Sequence, residues 1–228
     1  MKRSEINAAI EAGRAVLGEI GFKLPDFSSW TLERWRDMRP QAAEIIKTGL
    51  GWDVTDFGSK DFANTGATIF TLRNGYAYDP SIGVPYAEKV IIMTGGQTIP
   101  LHFHFKKTED IINRGNGVLR MKLYNSKSDE SLDEESGPRV KCDGIWKSFG
   151  PGEIFEVLPG NSVTLPPGLY HAFWAKKNAG TLVCGEVSSI NDDNVDNRFL
   201  SPLPRYAEIE EDEPIRYVLC NEYERLLG

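Results

Sequence analysis

The chain has 228 residues, of which 40% are hydrophobic, so it can bury one sizeable core without disulfide support. Its formal net charge is -7 and its Lys and Arg residues are scattered, which argues against a nucleic-acid surface because phosphate neutralisation needs basic clusters. The cysteines Cys142, Cys184 and Cys220 form no closely spaced pair, and the N-terminus carries no apolar leader. We therefore expect a cytoplasmic protein that binds neither nucleic acid nor a membrane.

The first fifty residues have the spacing of helices. Ser4 is a candidate N-cap and Gly21 a candidate stop for the first helix. A second helix is predicted over 32–38, and Pro40 can open a third that ends near Gly49. The apolar residues that roughly follow one face of the first helix are Ile6, Ile10, Leu17 and Ile20.

From Trp52 onward the pattern changes to short strands separated by Gly and Pro turns. The predicted strands are 69–73, 86–93, 97–105, 118–124, 139–142, 153–157, 162–165, 170–175 and 180–188. Short strands at this spacing favour a mainly β jelly roll or barrel. We expect a single domain over 1–228, with a helical extension at 1–50, a β-barrel at 51–200 and a docking tail or short helix at 201–228. The acidic stretch 126–137 is predicted to be a solvated hairpin insertion.

The three histidines of the chain lie in two short segments. His102 and His104 are two residues apart on a predicted strand, so both imidazoles point to one side. Glu109 follows beyond a turn that can fold its carboxylate back, and His171 comes after a Pro-Pro-Gly turn on another strand. Ordinary barrel histidines are the alternative. A cluster of three imidazoles and one carboxylate favours a divalent metal site with positions left for substrate.

Ligands of this mixed type suit several divalent metals. Manganese, iron, cobalt, nickel and zinc all bind imidazole and carboxylate groups, and affinity alone does not choose between them. The lack of cysteine near the four residues argues against a structural zinc site.

Both histidine segments resemble the paired motifs of the cupin family. The first fits the pattern G-x5-H-x-H-x4-E from Gly96 to Glu109, and the second fits G-x5-P-x-G-x2-H from Gly160 to His171. The resemblance implies a cupin double-stranded β-helix, a jelly-roll barrel with the metal ligands pointing inward. An Asn that the family usually has four residues after the last His is Ala175 here, outside the ligand set.

Three charged residues near these motifs are candidates for catalysis. Lys89 shares a strand face with apolar neighbours, where a lysine is costly unless it is paired or used. The alternative is an edge-strand lysine that reaches solvent. Lys107 lies two residues before Glu109, with a surface turn lysine as the alternative. Glu186 can carry protons if it faces inward and burial tunes its pKa, whereas an outward glutamate would be solvated.

A polar run over 188–199 follows Glu186. It lacks the Gly and the terminal Glu spacing of an EF-hand, so a lid or substrate-gripping loop is the better interpretation. Arg198 can bind a hydroxyl or carboxylate, or pair with an aspartate of the run.

Two longer segments, 102–115 and 185–199, are similar to the cupin-type D-lyxose isomerases. That resemblance implies a divalent metal, commonly manganese, a homodimer, and interconversion of D-lyxose with D-xylulose. Related sugars such as D-mannose and D-fructose are expected as further substrates.

An aldose–ketose isomerase must move a proton between C2 and C1 and another between O1 and O2. A metal can polarise the carbonyl and an acid/base group must reach the carbons. On this hypothesis the metal ligands are His102, His104, Glu109 and His171. Glu186 is the expected proton shuttle, and Lys107 or Lys89 stabilises oxygen charge. Asp192 and Arg198 are expected to orient the hydroxyl chain.

Two other functions use the same ligands. A cupin Fe(II) dioxygenase needs no proton shuttle and usually has a more apolar pocket. A non-catalytic sugar-binding cupin would bind metal and sugar without exchanging a C2 hydrogen. The two lysines, Glu186 and the polar run favour the isomerase.

Overall fold

A computed structural model of the chain describes residues 1–193 and 195–228. Its helices are α1 (Arg3–Glu19), α2 (Leu32–Met38), α3 (Ala43–Lys47) and α4 (Tyr223–Leu227), with 3-10 turns at Asp26–Ser29 and Cys220–Glu222. Its strands are β1 (Gly51–Thr55), β2 (Ala67–Gly75), β3 (Gly83–Met93), β4 (Thr98–His104), β5 (Glu109–Gly115), β6 (Leu119–Ser126), β7 (Leu132–Asp133), β8 (Arg139–Cys142), β9 (Ile145–Ser148), β10 (Ile154–Val157), β11 (Ser162–Leu165), β12 (Tyr170–Ala175), β13 (Leu182–Ser189) and β14 (Asn197–Phe199). In the described ranges, no helix combines the length and the apolar character needed to cross a bilayer.

The strands form two antiparallel sheets. The larger runs in the order β1-β2-β3-β13-β5-β11-β8-β9, and the smaller in the order β10-β6-β12-β4-β14 with β7 beside β6. Apolar side chains from both sheets form one core, which includes Ile91 and Ile111 from the larger sheet and Met121 and Phe173 from the smaller. The mainly β prediction is therefore confirmed.

The helical segment covers the outside of the larger sheet. Ile6, Ile10 and Leu17 of α1 are buried in a second cluster with Phe70 and Ile92 of the sheet. Burial of this apolar stripe holds the helix in place, since each buried aliphatic side chain contributes about 1.5–3 kcal/mol. The predicted helices over 32–38 and after Pro40 are also present, the latter starting at Ala43.

The first helix begins earlier than expected because the C-terminal tail meets it. The N-cap is Lys2 rather than Ser4, and the Lys2 backbone N–H donates to the Glu5 carboxylate. The Arg3 N–H donates to the Glu210 carbonyl, while Ser4 donates to Asp212. The tail therefore supplies partners that the local sequence does not reveal, and its end forms α4 as a short helix docked on the chain.

The sequence analysis did not predict five of the observed strands, and β5 shows the reason. Its inward residues are Glu109, Ile111 and Asn113, all buried. Two of these three are polar, so the apolar alternation that marks a half-buried strand is broken. The other strands that were not predicted are β1, β7, β9 and β14.

Candidate metal centre and active site

Strand pairing brings the two histidine motifs together. His171 of β12 lies directly opposite His102 of β4, and their ring centroids are 4.2 Å apart. His104 lies on the same face of β4, 5.0 Å from His102 by ring centroids. Nitrogen atoms of the three rings all fall within 4.8 Å of one another. The turn before β12 depends on Gly168, whose φ of 75° favours glycine and whose N–H donates to the His104 carbonyl.

Glu109 approaches the histidines from the opposite sheet. It begins β5 of the larger sheet, whereas all three histidines lie on the smaller sheet. Its Oε1 lies 3.0 Å from His171 Nε2 and 3.4 Å from His104 Nε2. Three imidazoles and one carboxylate therefore lie close together between the two sheets.

The hydrogen bonds of the rings leave nitrogen atoms free to bind a metal. His102 Nδ1 lies 2.8 Å from the Pro100 carbonyl and His171 Nδ1 lies 3.0 Å from the Leu169 carbonyl. A proton donated to a carbonyl sits on Nδ1, so each Nε2 keeps its lone pair. Within the described chain, His171 Nε2 and His104 Nδ1 are buried without a hydrogen bond of acceptable geometry. This donor set fits a divalent cation.

Burial keeps two of the rings neutral. Desolvation lowers the pKa of His102 well below 6.5, and the neighbouring His171 and His104 lower it further. Desolvation also lowers the pKa of His104, against the opposing effect of Glu109. Neutral imidazole is the form that binds metal, so both rings are ready as ligands at neutral pH.

Lys107 stabilises the ionised form of Glu109. Its ammonium lies 2.8 Å from Glu109 Oε2 and both side chains are buried. Burial alone would raise the pKa of the Glu109 carboxyl, but Lys107 and His104 hold it well below its usual range. Lys107 itself resists deprotonation, because the carboxylates around it overcome burial and raise its pKa.

Glu186 lies between the two lysines. Its Oε1 is 2.9 Å from Lys107 Nζ and 3.4 Å from Lys89 Nζ, and it is only 5% exposed. Burial raises the pKa of Glu186, yet the two ammonium groups outweigh it and lower the pKa below 4.5. The solvent-facing alternatives for Lys89, Lys107 and Glu186 are therefore wrong, because all three side chains are buried.

A third cation–carboxylate pair adjoins this row of charges. Asp193 lies 3.8 Å from Lys89 Nζ and 3.0 Å from Arg205 Nη2. Arg205 also contacts Asp53 at 2.6 Å. Burial raises the pKa of the Asp193 carboxyl, but Arg205 and Lys89 hold it well below its usual range.

Apart from His171 and Asp53, these groups line one cavity of about 40 Å³. Its apolar wall is built from residues of both sheets and the flanking loops, including Phe57, Ile91 and Phe173. Its charged lining consists of Lys89, Lys107, Glu109, Glu186, Asp193 and Arg205, so three cations face three carboxylates. An incoming dication would therefore meet side chains whose formal charges cancel, with neutral imidazoles as its nitrogen ligands.

A family model for D-lyxose isomerase matches residues 1–223. The chain belongs to the D-lyxose isomerase family. It is 46% identical to a D-lyxose/D-mannose isomerase of Escherichia coli O157:H7 over 224 residues, which is 98% of each chain. It is 40% identical over the full length of both chains to a D-lyxose/D-mannose isomerase of Serratia proteamaculans. The sequence prediction of an aldose–ketose isomerase is therefore confirmed.

Solved structures with a similar fold support the same architecture. An L-ribose isomerase of Acinetobacter sp. DL28 superposes with a TM-score of 0.58 at 16% identity, over 88% of this chain and 93% of that one. An L-ribose isomerase of Geodermatophilus obscurus gives a TM-score of 0.60 at 16% identity, over 92% and 98% of the two chains. At this identity the likeness shows the fold, and it confirms the cupin jelly roll for this D-lyxose isomerase family member.

The two residues expected to orient the sugar lie away from the cavity lining. Arg198 is at the surface, where its Nε lies 2.6 Å from Glu130 Oε2. Asp192 lines a wider neighbouring pocket and raises the pKa of Tyr78 through its charge and a hydrogen bond. Of the same polar run, Asn194 lies outside the described residues. The charged residues of the run and tail that line the metal cavity, within the described ranges, are Asp193 and Arg205.

Asp193 and Arg205 were missed because the sequence offers little to single them out. Asp193 is one of several acidic residues in its run, and its contacts with Lys89 and Arg205 arise only on folding. Arg205 lies 152 positions from Asp53, its hydrogen-bond partner. The signal in the sequence was the polar run itself, which contains Asp193 without singling it out.

Proposed function

We propose that this chain interconverts D-lyxose with D-xylulose, and D-mannose with D-fructose. One observation carries the proposal: three buried imidazoles and Glu109 lie together beside the row Lys107, Glu186 and Lys89. The relatives at 46% and 40% identity are named for the D-lyxose and D-mannose reactions.

His102, His104, Glu109 and His171 would hold the divalent metal, with Mn²⁺ as the proposed native ion. Mixed nitrogen and oxygen ligation supports this choice without excluding cobalt, iron, nickel or zinc. When bound, the ion supplies a Lewis acid that withdraws electrons from the oxygens at C1 and C2 of the sugar.

Glu186 would transfer the proton between C2 and C1. It is ionised at neutral pH because its lysine neighbours lower its pKa, so it can accept a proton from the substrate. The same neighbours make it a weak base, so abstraction requires that the substrate C–H be acidified first. Glu186 contacts Lys107, and Lys107 contacts the proposed metal ligand Glu109. The proton carrier would therefore lie close to the metal that acidifies the substrate C–H.

The two buried lysines would stabilise negative charge on the sugar oxygens. Lys107 lies between Glu109 and Glu186, so its ammonium is close to both the ligand set and the proton carrier. Lys89 contacts Glu186 from the other side. Fixed cations in a buried cavity act more strongly than solvated ones because water does not screen them.

Asp193 and Arg205 are our candidates for binding the far hydroxyls. Both also line the wider neighbouring pocket of about 630 Å³, which the metal cavity adjoins. Because the two pockets share Asp193 and Arg205, a sugar whose reacting end lies at the metal site would extend toward the wider pocket. Asp192, which lines the same pocket, is also a candidate for binding the far hydroxyls. Arg198 is a further candidate, provided that the polar run over 188–199 changes conformation when the sugar binds.

The homodimer and the cytoplasmic location remain proposals. The cytoplasmic location is supported by Cys142, Cys184 and Cys220, which are free thiols in the structure. The dimer rests on the resemblance to the family.

Incubation of the manganese-loaded protein with a panel of free aldoses and ketoses tests the proposal. We expect D-lyxose and D-xylulose to interconvert fastest, with D-mannose and D-fructose next. In D₂O, deuterium should enter the product at the carbon that receives the proton. Complete retention of the substrate hydrogen would instead indicate a hydride shift and remove Glu186 from its role.

The two alternative functions give different results in the same assay. A dioxygenase would consume oxygen with its substrate, which an oxygen electrode detects. A sugar-binding cupin would bind metal and sugar but leave the sugar unchanged over long incubation.

A further inference from the structure

The histidines and Glu109 are joined by a short turn that crosses between the two sheets. β4 ends at His104 in the smaller sheet, and β5 begins at Glu109 in the larger sheet. The residues between them are 105–108. Since β4 and β5 lie in different sheets, ladder hydrogen bonds between these two strands do not set the distance from His104 to Glu109. The turn itself must set it.

All four backbone N–H groups of this turn donate to two residues: Ser189, the last residue of β13, and Asp196, which directly precedes β14. The Phe105 N–H donates to the Asp196 carbonyl at 3.2 Å. The next two N–H groups, of Lys106 and Lys107, donate to Asp196 Oδ1 at 2.8 Å and Oδ2 at 3.1 Å. The Thr108 N–H donates to Ser189 Oγ at 3.3 Å. One aspartate therefore accepts three successive N–H groups.

Asp196 is itself fixed beside the metal motif. It is 8% exposed and directly precedes β14, which pairs with β4 so that Asn197 lies opposite His104 and Phe199 opposite His102. At the other end, Ser189 ends β13, whose Ser188 lies opposite Glu109. Ser189 and Asp196 are thus fixed by the strands that carry the proposed ligands, because β13 pairs with β5 and β14 pairs with β4.

We propose that Asp196 is a positioning residue for the metal centre, which sets the separation of Glu109 and Lys107 from the histidines. This rests on the proposed function only in taking Glu109 as a ligand. A carboxylate suits the task because both of its oxygens accept, whereas an amide has one acceptor and one donor. Loss of such an outer partner typically weakens metal affinity or activity 10–100-fold.

Asp196→Asn tests the proposal through the affinity for Mn²⁺ alone. The amide NH₂ would face the N–H of Lys106 or Lys107, so we expect Mn²⁺ to bind about 10–100-fold more weakly in competition with a fluorescent chelator. The EPR spectrum of the manganese-loaded variant should also change, because displacement of Glu109 alters the ligand field. Turnover is measured separately, so a protein that binds metal normally but isomerises no sugar would refute the proposed function and not this one.

Asp56→Asn is the matched control. Asp56 is 2% exposed, and its two oxygens accept the N–H groups of Gly58 and Lys60 in a different turn. We expect a similar loss of thermal stability in both variants, with weaker Mn²⁺ binding and a changed EPR spectrum only in Asp196→Asn. Equal Mn²⁺ affinities in the two variants would overturn the proposal.

Ser189→Ala covers the case in which Asp196→Asn does not fold. Ser189 is exposed and holds one N–H of the turn, so its removal should leave the fold intact and weaken Mn²⁺ binding about twofold to fivefold. Unchanged affinity in Ser189→Ala, with Asp196→Asn unfolded, would count against the proposal.

Discussion

Two arginines with little solvent exposure differ in how many of their N–H groups are hydrogen-bonded. Arg3, at the start of α1, is fully buried, and its Nε, Nη1 and Nη2 all donate to Glu211 or Glu222 of the tail. Arg205, beside the metal cavity, uses Nη2 for Asp53 and Asp193, while Nη1 is buried without a partner in the described chain. The first is a completed structural contact, and the second retains a donor for something else.

The same contrast extends beyond the arginines. Among the described residues, the four buried side-chain atoms without a hydrogen-bond partner are Asp53 Oδ1, His104 Nδ1, His171 Nε2 and Arg205 Nη1. Two belong to the histidine cluster, and the other two belong to the Arg205–Asp53 pair that adjoins the charged row. Unsatisfied buried polar groups are costly, so a group of them in one place indicates a site that completes its bonds with metal and substrate.

The largest effect is expected from His171→Ala. Removal of one of three converging imidazoles should abolish both stoichiometric metal and turnover, since even outer partners of metal ligands are worth about 10–100-fold. Metal content by mass spectrometry and the rate with D-lyxose measure the two losses. Tyr170→Phe, on the opposite strand face, is the control and should keep both. Full activity in a metal-free His171→Ala would refute the site.

Glu186→Gln should keep the metal and lose turnover. Loss of a general acid/base typically lowers kcat by about 10²–10⁴-fold, while the four proposed ligands stay in place. Glu88→Gln is a matched control, because Glu88 lies on the neighbouring strand with its side chain partly exposed. An unchanged rate in Glu186→Gln would assign the proton transfer to another group.

Arg3→Met should affect stability without affecting catalysis. The substitution leaves Glu222, whose side chain is 4% exposed, without one of its two cations. The expected loss in free energy of unfolding is about 3 kcal/mol, at the lower end of the usual range, because Arg225 still contacts Glu222. For a chain of this size the expected decrease in Tm is about 6–12 °C. Arg216→Met, at an exposed ion pair, should change Tm by very little. A fall in kcat of the folded Arg3→Met protein would show that the two regions are coupled.

The metal-free protein should lose stability as the pH falls from 7 to 5.5. His102 and His104 have lowered pKa values in the folded state, so below about pH 6.5 the unfolded chain binds protons that the folded chain does not. Stability therefore decreases with falling pH, by about 2 kcal/mol over this window. The lowered pKa values of Glu109 and Glu186 add to the loss only below about pH 4.5.

Urea unfolding at each pH, after chelation of metal, measures this dependence. His102→Gln removes one of the two titrating rings and should reduce the slope by about half. A stability that is flat between pH 7 and 5.5 would contradict the expected neutrality of the buried rings.

The shared face of His102 and His104 was predictable because it depends on local periodicity. A strand repeats every two residues, so His102 and His104 had to share a face wherever β4 was placed. The second motif allows a similar prediction. The Pro-Pro-Gly turn fixes where β12 begins, and the start of the strand determines the face on which His171 lies. The fold class followed from the alternation of apolar residues in short strands. Strand β5 was missed because Glu109 and Asn113 stand on its inward face in place of apolar residues.

The sequence by itself thus indicated a mainly β fold, its helical front and the two histidine motifs, since each depends on patterns within a few residues. Only the tertiary structure decided which charges face the ligands. Lys89, Glu186 and Asp193 meet because β3 and β13 pair and the following loop folds over them. Arg205 joins them from a tail that folds back across the barrel. Such contacts depend on the packing of distant segments, and spacing along the chain carries no information about them.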